Sequence, residues 1–160
     1  MADASTNYSF IDVAAWDGVR ENFLSGRPIA VFSADMQTLL WANGRAAELF
    51  GFDSIGEFEA EGPAGMGTAL RQIVSAAARA KSGEDVATHI RVSFGIRSQV
   101  LPARLRAITG RDGMACILLV IDTGEPDAAE RDAALAAIAG LATEGAGAAI
   151  VDDSGGLLAA

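Results

Sequence analysis

Cysteine and histidine occur once each in these 160 residues, as Cys116 and His89. A single cysteine forms no intrachain disulfide, and a single histidine does not found a His-rich metal site. Cations are scarce: 12 Lys+Arg stand against 21 Asp+Glu, leaving a net charge of −9 and a pI near 4.4. A surface that acidic repels phosphate backbones and anionic lipid, which argues against nucleic-acid and membrane-surface partners. The longest apolar run, Met114 to Ile121, has eight residues, far short of the roughly 20 a membrane-crossing helix needs. The N-terminus, Met1-Ala2-Asp3-Ala4-Ser5-Thr6, carries neither a basic n-region nor an apolar h-region, so the expected location is the cytoplasm. What is abundant is apolar material: 51% of residues are hydrophobic and 21% charged. That supplies one real core and excludes a disordered chain, on a length that suits about one domain.

Ile11, Ala15, Val19 and Phe23 recur at a spacing of four within Ile11 to Leu24. The spacing predicts one amphipathic helix, ended by Gly26 and Pro28, whose stripe needs a cover. Ile29–Phe32 and Thr38–Ala42 are short apolar runs on either side of a polar segment, the pattern of a β-hairpin. Asn43 opens a short helix, Gly44 to Phe50, that Gly51 closes. Residues 53–66 read as irregular, with at most one helical turn around Ser54 to Phe58. Leu70, Ile73, Val74, Ala77 and Ala78 predict a helix over Thr68 to Lys81, stopped by Ser82-Gly83. Strands follow at 86–94, 99–108 and 114–122; the last is apolar at nearly every position and is expected to be central. Pro102, with no N–H to donate, implies an edge position or a bulge in its strand.

Pro126 to Leu141 predicts a final Ala-rich helix with acids in its first turn. Beyond it, a shift of 118 residues sets Ala148 on Ala30, Ile150 on Phe32, Asp153 on Asp35 and Leu157-Leu158 on Leu39-Leu40. This reads as the opening hairpin of a second copy. The expected organisation is an N-terminal helix over 1–27, one domain over 28–124, a linker helix over 125–144 and the truncated start of a repeat over 145–160.

The stretch Asp35-Met36-Gln37-Thr38-Leu39-Leu40-Trp41-Ala42-Asn43-Gly44-Arg45-Ala46-Ala47-Glu48-Leu49-Phe50-Gly51-Phe52 resembles the PAS domain pattern: an Asp turn, an apolar strand ending in Asn, two small residues, then Leu-Phe-Gly and an aromatic. It departs at Met36-Gln37, where the family usually has a Gly. The resemblance implies an α+β PAS fold, a five-stranded antiparallel sheet with helices on one face forming a cup, and flanking N- and C-terminal helices. Composition and style resemble the N-terminal sensory regions of alphaproteobacterial cell-cycle sensor histidine kinases, those related to PleC and DivJ.

The resemblance makes Phe32, Trp41, Asn43, Phe50, Phe52, Met66, Leu70, Ile73 and Val74 candidates for a ligand pocket, although apolar residues at these spacings also make plain core. Asn43 is read first as a helix cap, which follows from local sequence, and second as a relay at the pocket mouth. Ile11, Ala15, Val19 and Phe23 are candidates for a homodimer interface. Haem-binding PAS domains take their axial His from the long helix; Thr68 to Lys81 has none, which argues against haem. Flavin photosensors place a reactive Cys just before that helix, whereas Cys116 lies in an apolar strand where a buried hydrophobe is expected. His89 alternates with apolar residues as an ordinary strand residue, and no metal site is expected. The glycines from Gly62 to Gly67 lack the Gly-Lys-Ser/Thr of a phosphate loop. Arg91, Arg97, Arg104 and Arg106 form either a basic spot for an acidic partner or a solvated strand face.

No nucleophile–base or paired-acid constellation is present, and neither is a phosphoacceptor His motif or the ATP-binding boxes of a kinase. The expected function is a non-catalytic sensory and dimerisation module of a histidine kinase. The alternative is a scaffolding module that binds a response regulator or a polar scaffold, with the cup filled by side chains.

Overall fold

The computed structural model describes residues 10–23, 25–94, 97–123, 138, 149–151 and 157–159. Two short helices, α1 (Phe10–Ala14) and α2 (Val19–Phe23), lead into strands β1 (Ile29–Ser33) and β2 (Leu39–Ala42). Helices α3 (Gly44–Leu49), α4 (Ile55–Glu61) and α5 (Thr68–Ala77) follow, with a 3-10 turn over Pro63–Met66 between the last two. Strands β3 (Val86–Phe94), β4 (Arg97–Thr109) and β5 (Ala115–Ile121) complete one sheet of order β2-β1-β5-β4-β3, antiparallel throughout. The five strands stand where the alternation put them, and β5 is central because Cys116 to Ile121 is buried on both faces.

Each face of the sheet carries its own apolar cluster. Phe32, Ile90, Leu105, Ile117 and Leu119 point to the inner face, where α3 to α5 pack. Ile29, Val31, Cys116, Leu118 and Val120 point to the outer face, where Val13, Trp16 and Val19 cover them. Pro102 lies where β4 outruns β5. Its carbonyl accepts from Asp122 N at 2.9 Å, one residue past the last strand residue of β5, so the missing N–H faces the end of the ladder.

The single helix expected over Ile11 to Leu24 is instead broken at Gly18, which has φ +88°. Ile11 is 77% exposed and Ala15 is exposed, while Val13, Trp16 and Val19 are buried. The break lets three residues at a spacing of three reach the sheet together. Burying an aromatic of about 150–250 Å² yields about 4–6 kcal/mol, against about 1.5–3 for Ile11.

Two other segments differ from expectation. Residues 53–66 are mostly helical, because Ser54 Oγ accepts from Glu57 N (3.1 Å) while the Glu57 carboxylate accepts from Asp53 N (2.7 Å). Ser54 is thus the N-cap of α4, and Glu57 closes a variant of the Ser-x-x-Glu capping box on the residue before it. Helix α5 ends at Ala77 rather than Lys81, because Arg79 N and Ala80 N bond three residues back, a tight final turn.

The helix expected over 126–141 lies outside the described residues apart from Ile138, which is helical and buried. Beyond it, β6 (Ile150–Val151) pairs with β7 (Leu157–Ala159) antiparallel. The hairpin repeats a detail of the first: Val31↔Trp41 and Phe32↔Leu39 skip Leu40, while Ile150↔Ala159 and Val151↔Leu157 skip Leu158. The shift of 118 holds for β7 and slips by one in β6, so Ile150 takes the place of Val31 rather than Phe32.

A Cβ on Gly18 would meet Ile108 and Leu118 at 3.5 and 3.6 Å, ordinary contact distances. Gly18→Ala therefore isolates the backbone cost of the break. We expect a loss of about 1–2 kcal/mol, read as a melting temperature lower by a few degrees.

Candidate functional site

The cup lies between the inner sheet face and helices α3 to α5. Phe32, Met66 and Ile73 are buried there, with Phe50, Phe52 and Leu70 packed at the margin. Phe58, which sequence reasoning missed, sits at the centre: it is fully buried, stacks on Phe52 at 4.5 Å between centroids and lies 5.6 Å from Phe50. The capping box at Ser54 was the available signal, since it places Ile55 and Phe58 on one helical turn.

Two candidates are elsewhere. Val74 is 42% exposed, because α5 turns Ala69, Ile73 and Ala76 inward. Trp41 is buried on the outer face, with its ring 5.0 Å from Phe10 and 6.0 Å from Phe23. The extra residue Leu40 explains this. The bulge turns Leu40 and Trp41 to the same side, while Leu39 and Ala42 stay inside. Trp41 Nε1 finds no hydrogen-bond acceptor there among the described residues.

Asn43 is the one buried polar residue among those described, with no exposed surface. Its Oδ1 accepts from Ala46 N (3.0 Å), capping α3, and from Ile29 N (3.1 Å) at the start of β1. Its Nδ2 donates to Arg27 O at 2.8 Å. The side chain's hydrogen bonds thus go to backbone, which is the structural role that the local sequence predicts.

Met36 stands at the position where the PAS pattern usually has Gly, and it takes φ +59°. Its side chain is buried in the inner cluster. A left-handed residue costs about 1–2 kcal/mol, which the burial of a methionine, worth about 1.5–3, offsets. The turn itself is held by Asp35, whose carboxylate accepts from Ser33 Oγ (2.6 Å) and Gln37 N (3.1 Å); these bonds lower its pKa.

Of the four proposed interface residues, Val19 is buried against the chain's own sheet, Phe23 is half-buried beside Trp41, and Ile11 and Ala15 face solvent. Ile11 and Ala15 border a groove of about 470 Å³ with Trp16, Thr109, Gly110 and Arg111. Cys116 is buried on the outer face, and burial pushes its thiol pKa up. His89 is exposed on β3. Arg106 Nε donates to Asp85 Oδ1 at 2.7 Å and Arg104 Nη1 lies 3.5 Å from Oδ2, which holds the Asp85 carboxyl below its usual range. Among the described residues no group of three or more His, Cys, Asp or Glu side chains could hold a metal ion, and no helix is long and apolar enough to cross a membrane.

No family model matches the sequence. Over 156 residues the chain is 35% identical to the cell-division control histidine kinase PdhS of Brucella suis, and equally so to that of Brucella ovis. The alignments take in 98% of this chain and 14% of each kinase, so the chain spans about one seventh of these relatives. Among solved structures, the PAS domain of an HTR-like protein from Haloarcula marismortui superposes with a TM-score of 0.50 at 15% identity, covering 64% of this chain and 88% of that one. The fold is the α+β PAS fold.

Asn43→Ala removes a cap worth about 1 kcal/mol and takes the side-chain partner from the buried Ile29 N–H, at about 1–3 kcal/mol, and from the part-buried Arg27 carbonyl. We expect a loss of about 3 kcal/mol or more in denaturant unfolding. Ile73→Ala should cost about 2–5 kcal/mol, whereas Val74→Ser should stay within about 0.5, a contrast that separates cup from surface. Because the Asp85 pKa is lowered on folding, its contribution is present at neutral pH and is lost as pH falls through the lowered value. Asp85→Asn should therefore flatten the acid limb of the stability–pH curve.

Proposed function

From a PAS fold that is similar along nearly its whole length to a segment of a cell-division histidine kinase, we propose that this domain is a non-catalytic sensory and dimerisation module. It would serve a two-component histidine kinase of the alphaproteobacterial cell-cycle type related to PleC and DivJ. The observation that carries the reading is the 35% identity over 156 residues with PdhS. The kinase acts in the cytoplasm, its output passes to a response regulator, and the domain relays its state through the linker over 125–144. Residues 145–160 open a second PAS-like repeat, a reading supported by the matching skips at Leu40 and Leu158. The module uses neither haem nor flavin photochemistry.

Dimerisation runs through the exposed edge of α1. Ile11 on α1 and Ala15 in the turn after it are the exposed apolar residues there, whereas Val19 is already committed to the chain's own core. One observation favours the second reading, a scaffolding module: Phe58, Phe32, Met36, Met66 and Ile73 already occupy the inner face.

Two measurements test this. Mass spectrometry of the purified, denatured protein should release a stoichiometric small molecule if the cup senses a ligand; a protein without one supports scaffolding. In light scattering, Ile11→Glu should convert a dimer to a monomer that keeps its fold by circular dichroism, while Val19→Glu should unfold the domain. A dimer that survives Ile11→Glu would refute the α1 contact.

A further inference from the structure

Positive charge is unevenly distributed along this acidic chain. Residues 86–109 hold Arg91, Arg97, Arg104 and Arg106 and not one Asp or Glu, in a protein with 21 acids. The register sorts their side chains. Leu101, Ala103 and Leu105 are buried on the inner face, so Val100, Pro102, Arg104 and Arg106 alternate with them on the outer face, while Arg97 falls on the inner-face side of β4. Arg91 pairs with Val100 across the ladder, and Ala87 with Arg104. The N-terminal helices cover β2, β1 and β5 and leave this part of β3 and β4 open: Ala87, Arg91, Pro102 and Arg104 are exposed, and Val100 is 51% exposed. Asp85 engages Arg106 and Arg104, and Glu21 also acts on Arg106, which leaves Arg91 as the cation outside that cluster. Arg91 reaches the neutral hydroxyl of Ser98 at 3.4 Å. The face is cationic with an apolar centre.

The complementary charge lies at the opposite corner of the same molecule. Helix α4 packs against β2, at the far edge of the sheet and on its inner side. It carries Glu57, Glu59 and Glu61, all exposed. We propose that the open β3–β4 face docks a second copy of this chain head-to-tail, seating the arginines of one copy on the acidic α4 of the next. Opposite charges at opposite corners make the contact heterologous. Such a contact runs from copy to copy as a ring or an open chain, and it adds assembly beyond a two-fold dimer.

The intact 160-residue chain in sedimentation velocity tests this. At about 0.1 M salt the weight-average mass should climb past a dimer with concentration. At about 1 M, where the Debye length falls from about 10 Å to about 3 Å, it should fall back. Arg91→Glu with Arg104→Glu, and separately Glu59→Lys with Glu61→Lys, should each abolish the climb, with circular dichroism unchanged. An equimolar mixture of the two variants should regain it, since both contacts then form between unlike copies. A mass that is independent of concentration at both salts would overturn the proposal, and so would charge-reversed variants that assemble like the parent. These results are read beyond the dimer, so they stand apart from the Ile11 test.

Discussion

One side-chain amide joins three layers of this domain. Asn43 takes the chain out of β2 and into the helical layer, and its Oδ1 caps α3 there. The same oxygen and the Nδ2 hold Ile29 and Arg27, where the chain arrives from the outer-face helices and enters β1. Because β1 lies between β2 and β5, the register of the central ladder begins at this point. The position needs a short side chain with both a donor and two acceptor lone pairs. Aspartate lacks the donor, and glutamine is one methylene too long for the cap. A buried group with this many backbone partners is expensive to disturb, which fits a role in holding the frame of the cup more than in responding to its contents.

What was legible in the residues followed the strength of their patterns. Alternation in β3 and β4 and the unbroken apolar run of β5 marked strands, faces and the central position. The hairpin repeat over 145–160 was legible as order, but its register slipped by a residue. Patterns alone did not show where a periodicity would be broken in favour of packing. The spacing of four from Ile11 to Phe23 is a genuine helical stripe, yet Trp16 has more surface to bury than Ile11. Gly18 allows the turn that buries it. Trp41 was misplaced for a related reason: a single skipped residue, Leu40, reverses which face the strand presents.

That skipped residue also sets which side chains stand back to back across the sheet. Phe32, on the inner face, and Trp41, on the outer, belong to adjacent strands and nearly adjacent rungs. Inside, Phe32 belongs to the cluster that includes Phe58 and Met66. Outside, Trp41 lies against Phe10 and Phe23 of the N-terminal helices. A packed core transmits displacement because it is dense and has few alternative arrangements. The β1–β2 pair thus joins the packing of the cup to the packing of α1 and α2.

The outer layer is also the less firmly held of the two. Its helices have five residues each, too short to be stable without the sheet beneath them. Trp41 Nε1 lies buried under them without an acceptor among the described residues, which subtracts from their hold. On the inner side α4 has its capping box, and α3 has Asn43. The sheet thus separates a layer with two side-chain-capped helices and the longer α5 from a short, broken one. If packing inside the cup changes, the layer with the smaller reserve of stability moves first, and here that is the layer bearing the exposed Ile11.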